Sequence, residues 1–307
     1  MTGTVEGRGE PLLRFGWPER HADWIALVCP TGGFFTRAQL AAFLGVGLPQ
    51  AARVVRRMLE RKIAVERVLE GRKVCRIRSK TVYRALGLDP QRGRWRIGTE
   101  AVVVRLLSLD YVVDHPGLPW LPTATEQVRA FEAAGIKREL LPSRLSGGRA
   151  PQRVLYFPRA FPVAFGGGRA LFAFTDPGYA RIRPLRKWAG GHRRLWEALR
   201  ARGHRVEVVA IVRAVRELRR SRRALDLCRV PDPSPSSGEG RAARSERKRI
   251  ERAILEGSDE ALPVPGDIQS GLRRIAALRE IERSVRAWPE IDAAAVWRSS
   301  RLPGGWC

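Results

Sequence analysis

Cysteine, lysine, acidic residues and long apolar runs are all scarce in this sequence of 307 residues. The four cysteines lie far apart and form no Cys-x-x-Cys pair, which argues against a zinc site or a disulfide-stapled fold and fits a reduced cytoplasm. No apolar run reaches the ~18 residues that a membrane helix needs, and the N-terminus lacks the basic-then-apolar order of a secretion signal. We therefore expect a cytoplasmic protein without a membrane segment.

The shortage of acidic residues leaves a large positive charge. Basic residues number 57 and acidic residues 31, so the formal net charge is +26. Nearly all of the basic residues are arginine, which a GC-rich genome favours over lysine, but codon usage does not explain the excess of cations. Because 44% of the residues are hydrophobic, the chain can form a core, and the charge must lie on folded segments. The commonest polyanionic partner is nucleic acid; an acidic protein or an anionic membrane surface is the alternative.

Capping and breaking residues predict three short helices after an N-terminal arm. An apolar segment over 21–29 favours the first helix. Thr36 and Gln39 have the spacing of a capping box, which predicts the start of the second helix. Gly45 is a typical residue just after a helix end, and Pro49 is tolerated in the first turn of the third helix.

The third helix has two chemically different faces. At 100° per residue, Ala52, Val55 and Leu59 share an apolar face. Long polar side chains share the opposite face: Gln50, Arg53, Arg57 and Arg61. A recognition helix is built in this way, since one face packs on its own domain and the other offers donors to phosphates and guanine edges. A solvated arginine face is the alternative interpretation.

Two predicted strands over 63–69 and 72–78 follow the third helix and are joined by a tight turn. The second strand alternates basic and apolar residues, which is typical of a half-buried strand. Arg72 and Lys73 lie at the tip of this ribbon, where we expect contact with the sugar-phosphate backbone of a nucleic acid.

This order of three helices and a ribbon resembles the winged helix-turn-helix fold. The pattern Phe-Thr-x-x-Gln-Leu-x-x-Phe-Leu-Gly over 35–45 and the segment Arg-Arg-Met-Leu-Glu-Arg-Lys over 56–62 are similar to bacterial members of that fold. The resemblance covers about 70 residues and implies double-stranded DNA as the partner.

The middle of the chain predicts a helix, three strands, a helix and a further strand. The strands and the later helix are expected at 153–157, 161–165, 171–175, 185–201 and 206–212. This order resembles the restriction-endonuclease-like PD-(D/E)XK core. Together with the N-terminal unit, the chain resembles replication-relaxation proteins of bacterial plasmids and other mobile elements, in which a winged helix precedes a nuclease-like domain.

The residues needed for metal-assisted hydrolysis are missing from the expected strands. Such chemistry needs two or three carboxylates around Mg²⁺ and a lysine that orients the attacking water. Asp176 is the only acid at the third strand, within an Asp-Pro-Gly sequence that also favours a turn. Glu126 and Glu132 on the preceding helix do not replace strand ligands, and Lys187 falls on the next helix. We therefore expect a degenerate core with no catalytic residue, metal or cofactor.

The C-terminal part predicts basic helices separated by a linker. Residues 213–229 favour an arginine-rich helix in which Arg216, Arg219 and Arg220 are candidate phosphate contacts, unless they form a solvated face. The Pro/Ser/Gly-rich stretch 230–247 predicts a flexible linker. Residues 248–307 predict a helical tail whose apolar stripe suits docking on the body or on a partner helix.

The expected fold class is α+β: a winged helix-turn-helix, a restriction-endonuclease-like α/β domain and a helical C-terminal tail. The expected segments are an arm at 1–19, the winged helix at 20–88, the nuclease-like domain at 100–229, the linker at 230–247 and the tail at 248–307. We expect a non-enzymatic, nucleoid-associated protein that binds double-stranded DNA, with a further protein partner at the middle domain or the C-terminal helices. Two alternatives stay open: a metal-dependent nuclease with a rearranged active site, and a protein- or RNA-interaction subunit.

Overall fold

The computed structural model describes residues 6–69, 71–90, 98–145, 154–158, 162–178, 182–226, 237–285 and 291–302. These residues form a mixed helix and strand structure with several sheets, compatible with an α+β class. The chain divides into two compact units, Met1–Asp226 with Ile291–Cys307 and, inserted between them in sequence, Leu227–Glu290.

The first unit begins with five helices and a small sheet. These elements are α1 (Glu10–Leu13), α2 (Glu19–Val28), β1 (Phe34–Phe35), α3 (Arg37–Leu44), α4 (Leu48–Glu60), β2 (Ala64–Leu69), β3 (Arg72–Ile77) and α5 (Lys80–Ala85). The strands pair antiparallel in the order β1-β3-β2. The predicted capping box is confirmed: the Gln39 amide donates to the Thr36 hydroxyl, and the Thr36 amide donates to the Gln39 side chain.

The turn between α3 and α4 is short and sharp. Gly45 ends α3 in the left-handed conformation with φ of 68°, and Gly47 caps α4, so that the two helices are bent by 111°. Among the described residues no single helix is long and apolar enough to cross a membrane. This bent pair meets the same test of length and composition when its two helices are taken together.

The rest of the first unit carries a four-stranded sheet. Its elements are α6 (Thr99–Asp114), α7 (Ala124–Ala133), β4 (Ser143–Leu145), β5 (Val154–Tyr156), β6 (Val163–Gly166), β7 (Arg169–Thr175), α8 (Ile182–Arg200), β8 (Arg205–Val212), α9 (Val215–Asp226) and β9 (Ala293–Arg298). The sheet order is β6-β7-β8-β9, with β6 antiparallel to β7 and the other neighbours parallel.

Helix α6 joins the small sheet and the large sheet into one hydrophobic core. The buried Gln39 side chain of α3 donates a hydrogen bond of 2.6 Å to the Leu106 carbonyl. On the other side, the Ser108 hydroxyl lies 2.8 Å from the Thr175 hydroxyl of β7. One continuous cluster of buried side chains therefore includes residues of both 20–88 and 100–229.

The prediction of a flexible arm is wrong for residues 6–19. Leu12 and Trp17 are buried in the core, and the Gly9 amide donates to Asp23 Oδ1 at 2.7 Å. A Cβ atom on Gly9 would lie 2.3 Å from the Ala22 carbonyl carbon, so glycine permits this close approach of two backbones. Residues 1–5 lie outside the described residues.

Long-range pairing corrects two of the secondary-structure predictions, one in the middle region and one in the predicted tail. The strand expected at 153–157 appears as β5, but it pairs with β4 in a separate ribbon instead of joining the main sheet. Residues 293–298, expected as part of the helical tail, form β9 and pair with β8. The sequence Ala-Ala-Ala-Val there favours a helix locally, and the parallel partner overrides that preference.

The second unit is a pair of packed helices, α10 (Ser237–Glu256) and α11 (Ile268–Val285). They bury Ala243, Ile250, Ile275 and Leu278 between them. Glu246 and Arg274 form an interhelical ion pair at 2.8 Å. The predicted linker over 230–247 is wrong from Ser237 onwards, because its basic part belongs to the packed α10; residues 230–236 lie outside the described part of the chain.

Candidate nucleic-acid interface

Helix α4 packs on the core along one stripe of small and apolar residues. Ala51, Val55 and Met58 are fully buried at helical spacing. The predicted stripe is confirmed at Val55 and wrong by one position at its other two members, since Ala52 and Leu59 are only half-buried. Their neighbours Ala51 and Met58 face the core instead.

The opposite face of α4 is polar and cationic. The predicted residues Gln50, Arg53, Arg57 and Arg61 are all exposed. Arg56, which is not among the predicted site residues, is exposed as well; its place next to Arg57 in a helix with one apolar stripe indicates this from sequence. No ion pair joins these four arginines to a carboxylate within the described part of the chain. The positive charge of this face is therefore available to an external anion.

The N-terminal segment contacts the last turn of α4. The guanidinium carbons of Arg57 and Arg61 lie 5.8 Å and 4.7 Å from the ring centre of the buried Trp17. Arg61 also donates a hydrogen bond of 3.2 Å to the Phe15 carbonyl. Burial, and to a smaller extent the charge of Arg57, lowers the pKa of His21 below its ordinary value. These contacts orient the end of the cationic face.

A second group of cations lies at the tip of the ribbon formed by β2 and β3, which follows α4 in the sequence. Gly71 turns the ribbon with φ of 74°, Lys73 is exposed, and Arg72 is half-buried. The predicted alternation of β3 is wrong at Arg76, which is fully buried against the Phe34 ring at 4.7 Å. Strand β3 is the central strand, so both of its edges are paired. Burial of the Arg76 guanidinium lowers its pKa to about 10.

The arginines predicted on the helix after β8 fall on α9. Arg219 is exposed. Arg216 and Arg220 belong to the same helix, but their side chains lie outside the described residues. The buried Glu217 side chain accepts hydrogen bonds of 3.0 Å from the backbone amides of Arg213 and Ala214 at the start of this helix.

The acidic residues considered for catalysis have structural partners. Asp176 Oδ1 accepts a hydrogen bond of 3.0 Å from the Gly178 amide, as the turn interpretation expects. Glu126 caps α7 and pairs with Arg8, and Glu132 pairs with Arg138. Within the described ranges, no group of three or more histidine, cysteine, aspartate or glutamate side chains is arranged to hold a metal ion.

The geometry that remains is a helix buried on one side and cationic on the other, followed by a ribbon with the exposed Lys73 and the half-buried Arg72 at its tip. The face of α4 can donate many hydrogen bonds to phosphate oxygens and base edges. Comparison of the chain with protein-family models, with curated proteins and with solved structures finds no match.

Proposed function

We propose that this protein binds double-stranded DNA through a winged helix-turn-helix formed by residues 20–88. In this proposal α4 enters the major groove, Gln50, Arg53, Arg57 and Arg61 contact phosphates and base edges, and Arg72 and Lys73 of the ribbon contact the neighbouring backbone. Arg216, Arg219 and Arg220 are proposed as additional phosphate contacts that carry no sequence information.

The order of the elements supports this proposal. A helix, a short strand, two helices and an antiparallel ribbon follow one another, and the short strand β1 pairs with β3 of the ribbon. Helices α3 and α4 are bent by 111° across a short turn with glycine at both ends, which agrees with the ~90–120° of helix-turn-helix units.

The observation that carries the proposal is the unneutralised cationic face of α4. On α10, by contrast, Arg247 forms an ion pair with Glu251 at helical spacing. Helix α4 has one carboxylate at such a spacing, Glu60, but no ion pair joins it to Arg53, Arg56 or Arg57 among the described residues. Concentrating like charges is unfavourable in the free protein, and a polyanion that binds this face relieves the repulsion.

We further propose that the remainder of the first unit supports DNA binding without catalysis, in replication, transfer or transcriptional control of a mobile element. This part of the proposal depends on the resemblance to replication-relaxation proteins. The segment β6, β7, α8 and β8 agrees with the expected order of elements, whereas β5 lies outside the sheet.

The test is binding of the full-length chain to a fluorescent 30-base-pair duplex at several salt concentrations. We expect the affinity to fall steeply with salt, because each phosphate contact adds about 0.9 to the slope of log affinity against log salt. The double variant Arg53→Ala with Arg57→Ala removes two such contacts, so its slope should fall by about 1.8.

A matched control removes two exposed arginines that already have carboxylate partners. Arg205 pairs with Glu207, and Arg273 pairs with Asp267, so Arg205→Ala with Arg273→Ala changes the net charge equally. This control should keep the wild-type slope. If the α4 variant and the control bind the duplex equally well, α4 is not the interface and the proposal fails.

A further inference from the structure

The second unit is close to neutral, although the chain as a whole is strongly cationic. Residues 237–285 contain ten basic and nine acidic side chains, so their net charge is +1 against +26 for the whole chain. Arginines of this unit also pair with its own carboxylates, as Arg247 and Arg279 both do with Glu251. A surface with so little net charge attracts a polyanion weakly and associates readily with protein.

One side of this unit exposes several apolar side chains. On α11, Ile268 is 53% exposed and Leu272 is 47% exposed, and the exposed Ala276 follows after one more turn. Residues four positions apart lie above one another on the surface of a helix, so these three form a stripe. Near the end of α10, Leu255 is 87% exposed. Apolar side chains that are exposed as a group, and not singly, mark a contact surface.

The ion pair between Glu251 and Arg279 shows that both helices contribute to this side. The two side chains meet across α10 and α11 at 3.1 Å, so they mark one edge of the interface between the helices. Leu255 lies one turn after Glu251, and Leu272 lies two turns before Arg279, so both leucines border that edge. Lys248, which is exposed, lies about one turn before Glu251 and borders it too. We call this side the hairpin face, formed by Lys248, Leu255, Ile268, Leu272 and Ala276.

Charges of opposite sign remain unpaired at two levels of the hairpin. Asp259 and Glu260 are exposed in the loop that joins the helices, and no ion pair connects either of them to a described side chain. Lys248 likewise has no ion pair within the described ranges. The hairpin therefore carries free negative charge at its tip and a free cation lower down on α10.

The spacing of these groups is self-complementary. Lys248 lies eight residues before the end of α10 at Glu256, which is about 12 Å below the tip at 1.5 Å per residue. Leu272 lies four residues after the start of α11, about 6 Å below the same tip. Leu272 is thus halfway between the level of the unpaired carboxylates and the level of Lys248. A two-fold axis at Leu272 exchanges these two levels.

We propose that the hairpin face binds the hairpin face of a second copy of this chain, with the two hairpins antiparallel. Leu272 then contacts Leu272 of the second copy, and Ile268 contacts its Ala276. Asp259 and Glu260 of each copy lie opposite Lys248 of the other. Such a contact is closed, and each interaction occurs twice. A different apolar partner would cover the leucines, but nothing in it would match the spacing between the tip and Lys248.

The experiment measures the mass of the nuclease-treated, full-length chain by sedimentation over a wide range of protein concentration, without DNA. Wild type should reach twice the 34.4 kDa of one chain. Leu272→Glu should raise the dissociation constant of the dimer roughly a hundredfold, because it places two carboxylates against each other at the two-fold axis. Ala277→Glu is the matched control, since Ala277 is exposed on another side of α11 and should leave the dissociation constant unchanged.

A charge reversal tests the antiparallel arrangement. Lys248→Glu should weaken the dimer roughly tenfold, because it brings like charges together at both ends of the contact. Adding Asp259→Lys and Glu260→Lys to this variant restores opposite charges at the same positions, so the dissociation constant should return close to that of wild type. Loss of folding alone cannot produce such a recovery.

The remaining outcomes overturn the inference. A monomer at every concentration does so, and so does a dimer that Leu272→Glu and Ala277→Glu affect equally while circular dichroism shows both variants folded. Failure of the triple charge variant to recover the dimer excludes the two-fold arrangement. None of these measurements involves α4 or DNA, so their result is independent of the proposed function.

Discussion

Arg61 lies over the indole of Trp17, with its guanidinium carbon 4.7 Å from the ring centre. Arg57 faces the same ring at 5.8 Å, so one buried aromatic side chain contacts two arginines of the proposed DNA-binding face. An exposed cation–π contact contributes only about 0.5–1 kcal/mol. The larger contribution of Trp17 is its own burial, since 4% of the residue is exposed. The segment before α2 is therefore part of the folded unit.

Trp17→Ala should lower the free energy of unfolding by about 3–5 kcal/mol, because it leaves a cavity the size of an indole in the core. Trp17→Phe should cost less, since an aromatic ring is kept under both arginines. Chemical denaturation followed by circular dichroism measures both values. A change of less than about 0.5 kcal/mol for Trp17→Ala would mean that this segment is the flexible arm that the sequence predicts.

Gly9→Ala should also destabilise the protein, by about 1–3 kcal/mol, because the new methyl group meets backbone atoms of Ala22 and Asp23 at 2.3 Å. Gly190→Ala is the matched control. Gly190 lies inside α8 with nothing within 4 Å of an added Cβ, so alanine should stabilise the helix by about 0.5–1 kcal/mol. The two variants should shift the thermal midpoint in opposite directions, and equal shifts would contradict the close approach at Gly9.

Local signals explain which parts of the fold were predictable. The hydrogen bonds between Thr36 and Gln39 and the left-handed Gly45 involve residues a few positions apart, and sequence spacing reveals them. Strand β9 is different, because Ala294 pairs with Val208 although the whole second unit lies between them in the sequence. Arg76 is similar: its burial depends on β1, which pairs with β3 from a distant position in the sequence. Tertiary pairing outweighs local preference at both places.

The same distinction applies to the candidate nucleic-acid interface. The cationic face of α4 lies on one helix, so the period of 3.6 residues predicts it from sequence. The contacts of Trp17 with Arg57 and Arg61 join this helix to the segment before α2. No spacing along the chain relates Trp17 to α4, and only the folded structure brings them together.

Asp110 and Arg301 support a prediction about the C-terminal segment. Asp110 is fully buried in α6, accepts a hydrogen bond from the Ser299 hydroxyl, and pairs with Arg301 at 2.9 Å. Burial raises the pKa of Asp110, against the opposing effect of these two partners. Arg301→Ala removes the charge partner and leaves a buried carboxylate, which should lower the free energy of unfolding by about 3–5 kcal/mol.

The double variant Asp110→Asn with Arg301→Ala separates the pair from its surroundings. Asparagine has a similar shape to aspartate and no charge, so it should recover part of the stability lost in Arg301→Ala. Denaturation of the two single variants and the double variant at pH 7 provides the coupling energy. Strict additivity of the two single effects would show that the ion pair does not stabilise the attachment of this segment.

The last prediction concerns His192, which is buried in α8 among aromatic rings. Its ring centre lies 4.6 Å from that of Trp188 and 5.7 Å from that of Phe172, and its Nδ1 donates to the Trp188 carbonyl at 2.8 Å. Burial excludes water from the charged form and lowers the pKa of His192 to about 4, although the hydrogen bond to Trp188 opposes the shift.

Because the pKa of His192 is lowered in the folded state, the protein should become less stable as the pH falls. Well above pH 6.5 the residue is neutral in both states and contributes no pH dependence. As the pH falls below this value, the unfolded chain binds a proton that the folded protein does not bind until about pH 4. At about 1.36 kcal/mol per pH unit, His192 should remove about 2 kcal/mol of stability between pH 7 and pH 5.

His192→Phe keeps the aromatic packing without a titratable group, so urea denaturation at both pH values should show a loss about 2 kcal/mol smaller than in wild type. Equal losses in the two proteins would mean that His192 is protonated as readily in the folded state as in the unfolded chain.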